Sequence, residues 1–409
     1  MFKEYWRKLG PGLVTGAADD DPSGIATYSQ AGARFGFGFL WMAVVTFPFM
    51  AIVQEMCARI GLVTGRGLAA NIRTHYSRGV LYVCTLLLFV ANIFNIGADL
   101  GAMAASVRLL APRINFFVLV IGFAVVSLFL QLFVRYTNFA RYLKYLTFSL
   151  FAYVIAGFMI DADWSSIFHK TILPSFHWSR EYLFMICAVL GTTISPYLFF
   201  WQTGQEIEEK IAKGDVTIQE RQDDVHPSTI RAMRTDVWSG MLLSNFVMFF
   251  IIMTSAVVLS SHGITNITTA ADAAAALKPF AGQWTFLLFA LGIIGTGLLA
   301  VPVLAGAASY ALSETFRLRR HTFYEVLALS VLAGLLMNFI NLDPIKALLY
   351  SAVLNGLIAP IILFLVVRIS GNKTIMGNYV SGPATKTLGW IITIAMAIVG
   401  LAVLLSFFR

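Results

Sequence analysis

Long apolar stretches alternate with short polar connections along almost the whole chain. A transmembrane α-helix needs about 20 apolar residues to cross the hydrocarbon core of a bilayer. Eleven stretches meet this requirement, so the pattern predicts an all-α, polytopic membrane protein with 11 transmembrane helices. The predicted spans, numbered 1 to 11 in chain order, lie near 9–34, 37–63, 79–110, 114–134, 141–160, 181–203, 235–260, 282–312, 322–341, 346–369 and 386–408.

The composition agrees with a membrane protein. Hydrophobic residues make up 58% of the chain and charged residues only 12%, whereas soluble domains contain about 25% charged residues. Cys57, Cys84 and Cys187 lie in apolar stretches without metal-ligand spacing, which indicates packing residues. The sequence contains no His-Glu-x-x-His motif, nucleophile elbow or phosphate-binding loop, so we predict neither an enzyme nor a bound cofactor.

The basic residues follow the predicted topology. With the N-terminus inside, the inner segments hold 21 of the 29 Lys and Arg residues, as the positive-inside rule requires. We therefore predict a multi-pass protein of the cell (plasma) membrane with a cytoplasmic N-terminus and an outer C-terminus. The net charge of +8 then reflects topology in a lipid bilayer, and no nucleic-acid partner is expected. The hydrophilic stretch 204–230 is predicted as a solvated cytoplasmic loop, and 69–76 as a short interfacial helix.

Span 1 contains the stretch Asp19-Asp20-Asp21-Pro22-Ser23-Gly24. An aspartate at bilayer depth costs about 2.5 to 3.5 kcal/mol on insertion scales, and a proline removes a helical hydrogen bond. Three carboxylates beside a helix breaker are therefore hard to explain as structure alone. They predict a broken helix that carries a cation site.

Span 6 contains a second interruption, Gly191-Thr192-Thr193-Ile194-Ser195-Pro196-Tyr197. Spans 1 and 6 are each the first helix of a five-span half, and halves with an odd number of spans insert with opposite orientations. Breaks at corresponding positions of inverted halves indicate a binding site near the bilayer midplane. We predict one transmembrane domain over 1–409, with repeats at about 9–160 and 181–369 and an extra helix at about 386–408.

Several motifs resemble those of the NRAMP family of divalent-metal transporters. The resemblance covers nearly the whole chain and implies a LeuT-like fold with 5+5 inverted repeats and broken helices 1 and 6. The matching segments are Gly10-Pro11-Gly12, Asp21 to Thr27, Gln30 to Ala33, Ser195-Pro196-Tyr197, Leu342-Asp343-Pro344 and Ile375-Met376-Gly377.

The departures from the family pattern are informative. In the family an Asp, an Asn, a Met thioether and a backbone carbonyl hold the metal. Carried over by position, Asp21 is retained, Gly24 replaces the Asn, Ser195 replaces the Met, and the carbonyl is that of Thr192. The family's His after the second proline corresponds to Tyr197. The resemblance therefore implies a site that has lost its sulfur ligand and one amide oxygen.

The loss of the thioether and amide ligands favours a harder cation than a soft transition metal. Thioether ligands select soft transition metals, whereas Mg²⁺ takes six oxygens at ~2.0–2.1 Å and gives up its waters reluctantly. Asp20 and Asp21 could bind a largely hydrated ion, with the Thr192 carbonyl and Ser195 contributing directly or through water. The pattern is similar to an NRAMP-related magnesium transporter branch, which implies Mg²⁺ or Mn²⁺ as the transported substrate.

Most of the family's proton-coupling residues are also missing; of its two acidic positions in span 3, only the one at Asp99 remains acidic. Two acidic positions of span 3 correspond to Ile96 and Asp99, Tyr197 replaces the His, and span 9 has no Arg between Glu325 and Ile340. The resemblance thus implies a uniporter that works by alternating access without protons. Moving a +2 ion through 100 mV is worth about 4.6 kcal/mol, enough for substantial accumulation.

The residues at the first break have alternative interpretations. Asp20 is either a second ligand, a cap of the inner half-helix or part of the access path. Asp19 lies ~100° further round the helix, which favours a role in a vestibule or in helix pairing. Gly24 either supplies only backbone freedom or matters through the space it leaves. Ser195 binds a water or bonds its own helix, and Tyr197 is typical of a packing aromatic.

Four polar residues are candidates for the pathway or for supporting the ligands. Asn95 either hydrates the cavity or bonds another helix, and Asp99 is a gate or pathway carboxylate. Asn355 in span 10 lies near a position where the family often has a Gln. Gln30 matches the family and is a candidate for closing the outer path.

Three functions therefore compete. The first is transport of Mg²⁺ and Mn²⁺ as hydrated or partly hydrated ions. The alternative is a proton-coupled transition-metal (Mn²⁺/Fe²⁺) importer with changed ligands. The third is an amino-acid or organic-cation transporter of the same fold, although three aspartates at the break repel a carboxylate. The sequence leaves the oligomeric state open, and a monomer is compatible with it.

Overall fold

The computed structural model describes residues 10–133, 151–174, 176, 179–260, 263–340 and 342–407. Over these ranges the chain forms helices joined by short connections, and none of the described residues belongs to a β-strand. The predicted all-α architecture is confirmed.

The spans have the following bounds. Span 1 is Pro11–Asp19 and Pro22–Phe35, span 2 is Leu40–Thr64, span 3 is Arg78–Leu110, span 4 is Phe116–Phe133, and the described part of span 5 is Phe151–Met159; span 6 is Arg180–Thr193 and Pro196–Lys213, span 7 is Pro227–Val258, span 8 is Thr285–Phe316, span 9 is Arg320–Met337, span 10 is Pro344–Ser370 and span 11 is Pro383–Ser406. The short α-helices are Leu68–His75, Trp164–Ile172, Ile218–Asp223, Ala270–Ala274, Lys278–Ala281 and Lys373–Met376, and the 3₁₀ turns are Gly36–Phe39, Ala275–Leu277, Gly282–Trp284, Asn338–Ile340 and Gly377–Tyr379.

The helices match the predicted spans closely. Nine segments of the described residues are long and apolar enough to cross a membrane, and one of them, Pro22–Thr64, joins half of span 1 to span 2. These segments account for ten of the eleven predicted spans. The first half of the predicted span 141–160 lies outside the described residues. Span 7 begins at Pro227 instead of 235, and the division into repeats stays a prediction.

The hydrophilic stretch 204–230 is more ordered than predicted. Span 6 extends to Lys213, and a further helix covers Ile218–Asp223. The Arg221 Nε donates to the Gly65 carbonyl oxygen at 3.1 Å, and the Lys210 Nζ donates to the Arg221 carbonyl oxygen at 2.5 Å. These buried cations satisfy carbonyls at the end of span 2 and in the connection itself. The prediction of a wholly solvated loop was therefore wrong, because two of its basic residues are structural.

Spans 1 and 7 approach each other backbone to backbone. A Cβ atom added to Gly16 would collide with the Gly240 carbonyl, and one added to Gly240 would collide with the Gly12 carbonyl. Small residues permit this kind of close crossing in membrane proteins. The half-helix Pro11–Asp19 is thus held against span 7 along most of its length.

Asp236 of span 7 anchors the start of the same half-helix. Its carboxylate accepts hydrogen bonds from the backbone N–H groups of Gly10, Gly12 and Leu13 at 2.8, 2.7 and 3.2 Å. The first N–H groups of a helix have no partner within the helix, and the positive end of the helix dipole favours a carboxylate. Asp236 therefore acts as an N-terminal cap supplied by another helix.

We expect Asp236→Ala to destabilise the docking of this half-helix. The change leaves three backbone donors without their acceptor, at an expected cost of about 1 to 3 kcal/mol. Thermal unfolding of the purified protein in detergent should show a lower midpoint. Asp236→Asn, which keeps one acceptor oxygen, should fall between Asp236→Ala and the wild type. Equal midpoints for all three proteins would contradict the capping role.

Candidate metal site

Two prolines leave carbonyl groups without helical partners at the breaks. In a continuous helix the Ala18 carbonyl would accept from residue 22 and the Thr192 carbonyl from residue 196. Both positions are proline, which has no N–H to donate. The two prolines therefore leave the Ala18 and Thr192 carbonyl oxygens without a backbone donor, next to the buried carboxylates.

Asp21 occupies the N-cap position of the half-helix Pro22–Phe35. Its Oδ1 accepts hydrogen bonds from the Ser23 hydroxyl at 2.6 Å and the Gly24 N–H at 2.7 Å, and its Oδ2 accepts from the Asn95 amide at 3.0 Å. The residue is 1% exposed. These donors and the positive end of the half-helix stabilise negative charge on the carboxylate and fix its position between spans 1 and 3.

Asp19 and Asp20 share a partner on span 7. The Ser244 hydroxyl lies 2.8 Å from the Asp19 Oδ2 and 3.2 Å from the Asp20 Oδ1. A hydroxyl has one proton, so it donates fully to only one of the two carboxylates. Asp20 is the C-cap residue of Pro11–Asp19, but its side chain bonds Ser244 rather than that helix. Asp19, which is fully buried, pairs span 1 with span 7 instead of lining an open vestibule.

This run of three buried carboxylates is not neutralised by basic side chains. Within the described ranges, no Lys or Arg forms an ion pair with Asp19, Asp20 or Asp21, and the Asp19 Oδ1 has no hydrogen-bond partner. Burying unpaired charge is expensive unless a counter-charge is supplied. A bound cation would supply that charge.

Thr192 and Ser195 face the first break from span 6. The Ser195 hydroxyl lies 2.7 Å from the Gly191 carbonyl oxygen and 2.9 Å from the Thr192 carbonyl oxygen. Of the two predicted roles, Ser195 therefore bonds its own helix in this structure. The Thr192 carbonyl oxygen keeps a second lone pair for another donor or a cation. The Thr192 Oγ1 also lies 3.4 Å from the Ser23 hydroxyl, which brings the two breaks together.

Gly24 lies where the breaks are closest. A Cβ atom at this position would lie 3.2 Å from the Asp19 carbonyl oxygen and 3.3 Å from both the Thr192 Oγ1 and a ring carbon of Tyr28. Any larger residue would have to displace these neighbours. The absence of a side chain at this position therefore allows the two breaks to approach closely.

Tyr197 links the two half-helices on the side of the membrane where Gly10 lies. Its hydroxyl donates to the Ala18 carbonyl oxygen at 3.0 Å, which is the carbonyl that Pro22 leaves free. About one helical turn closer to Gly10, the Thr15 hydroxyl donates to the Gln202 Oε1 at 2.5 Å. Tyr197 is thus more than a packing aromatic, because it closes this side of the site with a hydrogen bond.

Gln30 closes the opposite side. Its amide nitrogen donates to the Thr265 carbonyl oxygen at 3.2 Å, and its amide oxygen accepts from the Ile267 N–H at 2.7 Å. These bonds attach the half-helix Pro22–Phe35 to the connection between spans 7 and 8. Between Gln30 and the break lies a small apolar pocket lined by Ile25, Ala26, Ala102, Ala270, Ala273, Phe289, Ile293, Ile345 and Leu348.

Three polar side chains near the break contain atoms without a hydrogen-bond partner among the described residues. Asn95 donates to Asp21, but its Oδ1 has no hydrogen-bond partner within the described ranges. In the same part of the chain, both carboxylate oxygens of Asp99 and both polar side-chain atoms of Asn355 are buried without partners. The structure therefore brings Asn95 to Asp21 directly and leaves Asp99 and Asn355 available.

The donors around the breaks are carboxylate, hydroxyl and carbonyl oxygens. In the part of the chain that the structure describes, no group of three or more His, Cys, Asp and Glu side chains is arranged to hold a metal ion. Oxygen donors suit hard cations, and a set this small leaves coordination positions for water. The two breaks therefore offer oxygen donors of the kind that a hard divalent cation prefers.

Ser23, Ser244 and Asp236 are site or support residues that the sequence analysis did not single out. Ser23 lies inside the motif of span 1. Asp236 could have been identified from the sequence, because an aspartate inside an apolar span usually has a functional or structural partner. Ser244 could not, because a serine in a transmembrane helix commonly bonds its own backbone.

Broken spans 1 and 6 that meet around buried oxygen donors define the LeuT-like fold class. Solved structures agree. The chain superposes on the Eremococcus coleocola manganese transporter in complex with an aromatic bis-isothiourea substituted compound, with a TM-score of 0.79, 19% identity, and coverage of 98% of this chain and 86% of that chain. A nucleobase-cation-symport-1 family transporter in a closed conformation gives a TM-score of 0.57 at 14% identity over 97% and 90% of the two chains.

Sequence comparison gives the family. The model of the Nramp family, described as natural resistance-associated macrophage protein-like, matches residues 12–406. The chain belongs to this family, as its motifs predict. The divalent metal cation transporter MntH of Mycobacterium leprae is 25% identical over 98% of this chain and 92% of its own length. MntH of Klebsiella pneumoniae is also 25% identical, over 94% of this chain and 90% of its own length.

Proposed function

We propose that this protein transports divalent cations across the membrane by alternating access. The observation that carries the proposal is the run of buried carboxylates, Asp19 to Asp21, at a helix break, where no described Lys or Arg forms an ion pair with them. The opposing break contributes the Thr192 carbonyl, which Pro196 leaves without a helical donor. The names of the MntH relatives, which are divalent metal cation transporters, support the same class of substrate.

Within this class, we propose Mg²⁺ as a substrate alongside Mn²⁺, as in the NRAMP-related magnesium transporter branch. The donors at the break are oxygen atoms, and Ser195 stands where the family has a thioether. Mg²⁺ keeps several of its waters in protein sites. Asp21 and Asp20 would then hold the ion partly through water, with the Thr192 carbonyl on the other side of the gap.

We further propose that transport is not coupled to protons. In the family, coupling depends on acidic, histidine and arginine side chains that act together. Here Asp99 has no hydrogen-bond partner in the part of the chain that the structure describes, Tyr197 bonds a backbone carbonyl, and span 9 has no Arg between Glu325 and Ile340. The membrane potential alone would drive uptake, at about 2.3 kcal/mol per charge per 100 mV.

The proposed direction is inward across the cell membrane. The bias of Lys and Arg to the side of Gly10 favours a cytoplasmic N-terminus. Tyr197 and the half-helix Pro11–Asp19 would then form the inner closure, and Gln30 with the connection after span 7 the outer closure. Each closure depends on a few hydrogen bonds, so each can open without unfolding a span.

Influx into liposomes tests this proposal. The purified protein is reconstituted with an internal Mg²⁺ or Mn²⁺ indicator and an internal pH indicator, under an imposed inside-negative potential. We expect both ions to enter, each to compete with the other, and internal pH to stay unchanged. Empty liposomes are the control. Manganese entry with proton co-transport, and without magnesium entry or competition, would instead support a proton-coupled transition-metal importer.

A further inference from the structure

Asp99, Asn95 and Asn355 contain buried polar atoms that the proposed site leaves unpaired. Among the described residues, neither carboxylate oxygen of Asp99 has a hydrogen-bond partner, and Asp99 is 0% exposed. Within the same residues, the Asn95 Oδ1 and both polar atoms of the Asn355 side chain are likewise buried and unpaired. Buried polar groups normally have partners, and an unpaired buried carboxylate is costly. A hydrated cation would supply partners for these atoms.

Asp99 faces the same gap as Asp21. Asn95 and Asp99 are four residues apart in span 3, so they lie on one face of the helix, about 6 Å apart along its axis. The Asn95 amide donates to Asp21 at 3.0 Å, which places this face of span 3 against the first break. The unpaired carboxylate is therefore one helical turn from the first site.

Asp99 lies on the side of the gap that Gln30 closes. One turn beyond Asp99, Ala102 lines the apolar pocket together with Ile25 and Leu348. When this apolar cover opens, an ion that arrives from that side meets Asp99 before it meets Asp21.

Asn355 of span 10 lies at the same depth across the membrane as Asn95 of span 3. Spans 3 and 10 run in opposite directions, and Ala102 of span 3 and Leu348 of span 10 line the same pocket. Asn95 precedes Ala102 by seven residues, and Asn355 follows Leu348 by seven residues. The two unpaired amides therefore lie two helical turns from the pocket on facing helices.

We propose that Asp99, with the amide oxygens of Asn95 and Asn355, forms a second binding position for a hydrated divalent cation, which the ion occupies before it reaches Asp21. The proposal rests on the proposed function. Carboxylate and amide oxygens are hard donors of the kind that Mg²⁺ and Mn²⁺ prefer. Asp21 already accepts three protein hydrogen bonds, whereas both oxygens of Asp99 are free to accept hydrogen bonds from the water shell of an ion.

Equilibrium binding of Mn²⁺ to purified protein tests the second position. Electron paramagnetic resonance measures free Mn²⁺ directly, because the ion's sharp signal broadens when it binds. We expect Asp21→Asn to bind Mn²⁺ roughly 10- to 100-fold more weakly than the wild type, with the remaining site at Asp99. Asp21→Asn combined with Asp99→Asn retains Asp20 but should bind Mn²⁺ about tenfold or more weakly than Asp21→Asn alone. The matched control combines Asp21→Asn with Asp163→Asn, because Asp163 only caps the helix Trp164–Ile172.

Each outcome separates the two proposals. If the wild type binds Mn²⁺ but Asp21→Asn binds none, or if the Asp21→Asn/Asp99→Asn double variant binds as well as the control, the second position is wrong and the first site stands. If the wild type neither binds nor transports divalent cations, the proposed function itself fails. Asparagine keeps the shape and removes a buried charge, so the variants should fold. A thermal unfolding midpoint at or above that of the wild type would verify this for Asp99→Asn.

Discussion

Replacing Asp21 with alanine is expected to reduce Mg²⁺ and Mn²⁺ influx by at least about 100-fold. The change removes the carboxylate that Ser23, Gly24 and Asn95 hold in place between spans 1 and 3. It also removes an N-terminal cap, at a cost of about 1 kcal/mol. Influx into liposomes, with reconstituted protein quantified for each sample, measures the effect.

Two further variants separate loss of the ligand from loss of the fold. Asp21→Asn retains an oxygen that can cap the half-helix, so it should keep the wild-type unfolding midpoint while influx remains severely reduced. Asp163→Ala changes an exposed carboxylate that caps a helix outside the site, and should transport at the wild-type rate. Wild-type influx in Asp21→Ala would remove Asp21 from the site.

Restoring the family's ligands should change the ion preference. We expect Gly24→Asn with Ser195→Met to lower Mg²⁺ influx relative to Mn²⁺ influx by about tenfold or more, because a thioether favours the softer ion. The Ser195 hydroxyl would no longer occupy the Thr192 carbonyl. The added side chain at 24 would fill space that is already tight, with a Cβ atom 3.3 Å from the Thr192 Oγ1.

The controls distinguish ligation from bulk. Gly24→Ala adds volume without a ligand, and Ser195→Leu has a similar size to Ser195→Met without sulfur. If side-chain volume alone decides the ion preference, Gly24→Ala with Ser195→Leu will give the same ratio of Mg²⁺ to Mn²⁺ influx as Gly24→Asn with Ser195→Met. An unchanged ratio of Mg²⁺ to Mn²⁺ influx in the Asn and Met variant would contradict the argument from lost ligands.

The helix breaks could be predicted from sequence because their cause is local. Pro22 and Pro196 each remove one N–H, and the carboxylates of span 1 have no ordinary role in an apolar helix. The half-helices begin at these prolines. Asp21 is predicted as a ligand because its position matches the family's ligand, and the structure shows in addition that it caps the second half-helix.

The partners of the site could not be predicted, because they come from distant parts of the chain. Ser244 reaches Asp19 and Asp20 across more than 200 residues of sequence, and nothing near it in sequence marks it. The orientation of the Ser195 hydroxyl depends on the local path of the broken helix, so both roles stayed open. The sequence placed Arg221 in a charged loop, yet its Nε donates to the Gly65 carbonyl oxygen at the end of span 2.

The position of a bound ion tests the central claim most directly. Crystals soaked with Mn²⁺ give an anomalous scattering peak wherever the ion binds. We predict a peak between the Asp21 carboxylate and the Thr192 carbonyl oxygen, with water completing its coordination, and no such peak in Asp21→Ala crystals. A peak that persists in Asp21→Ala crystals, or a bound ion elsewhere with none at the break, would contradict the account.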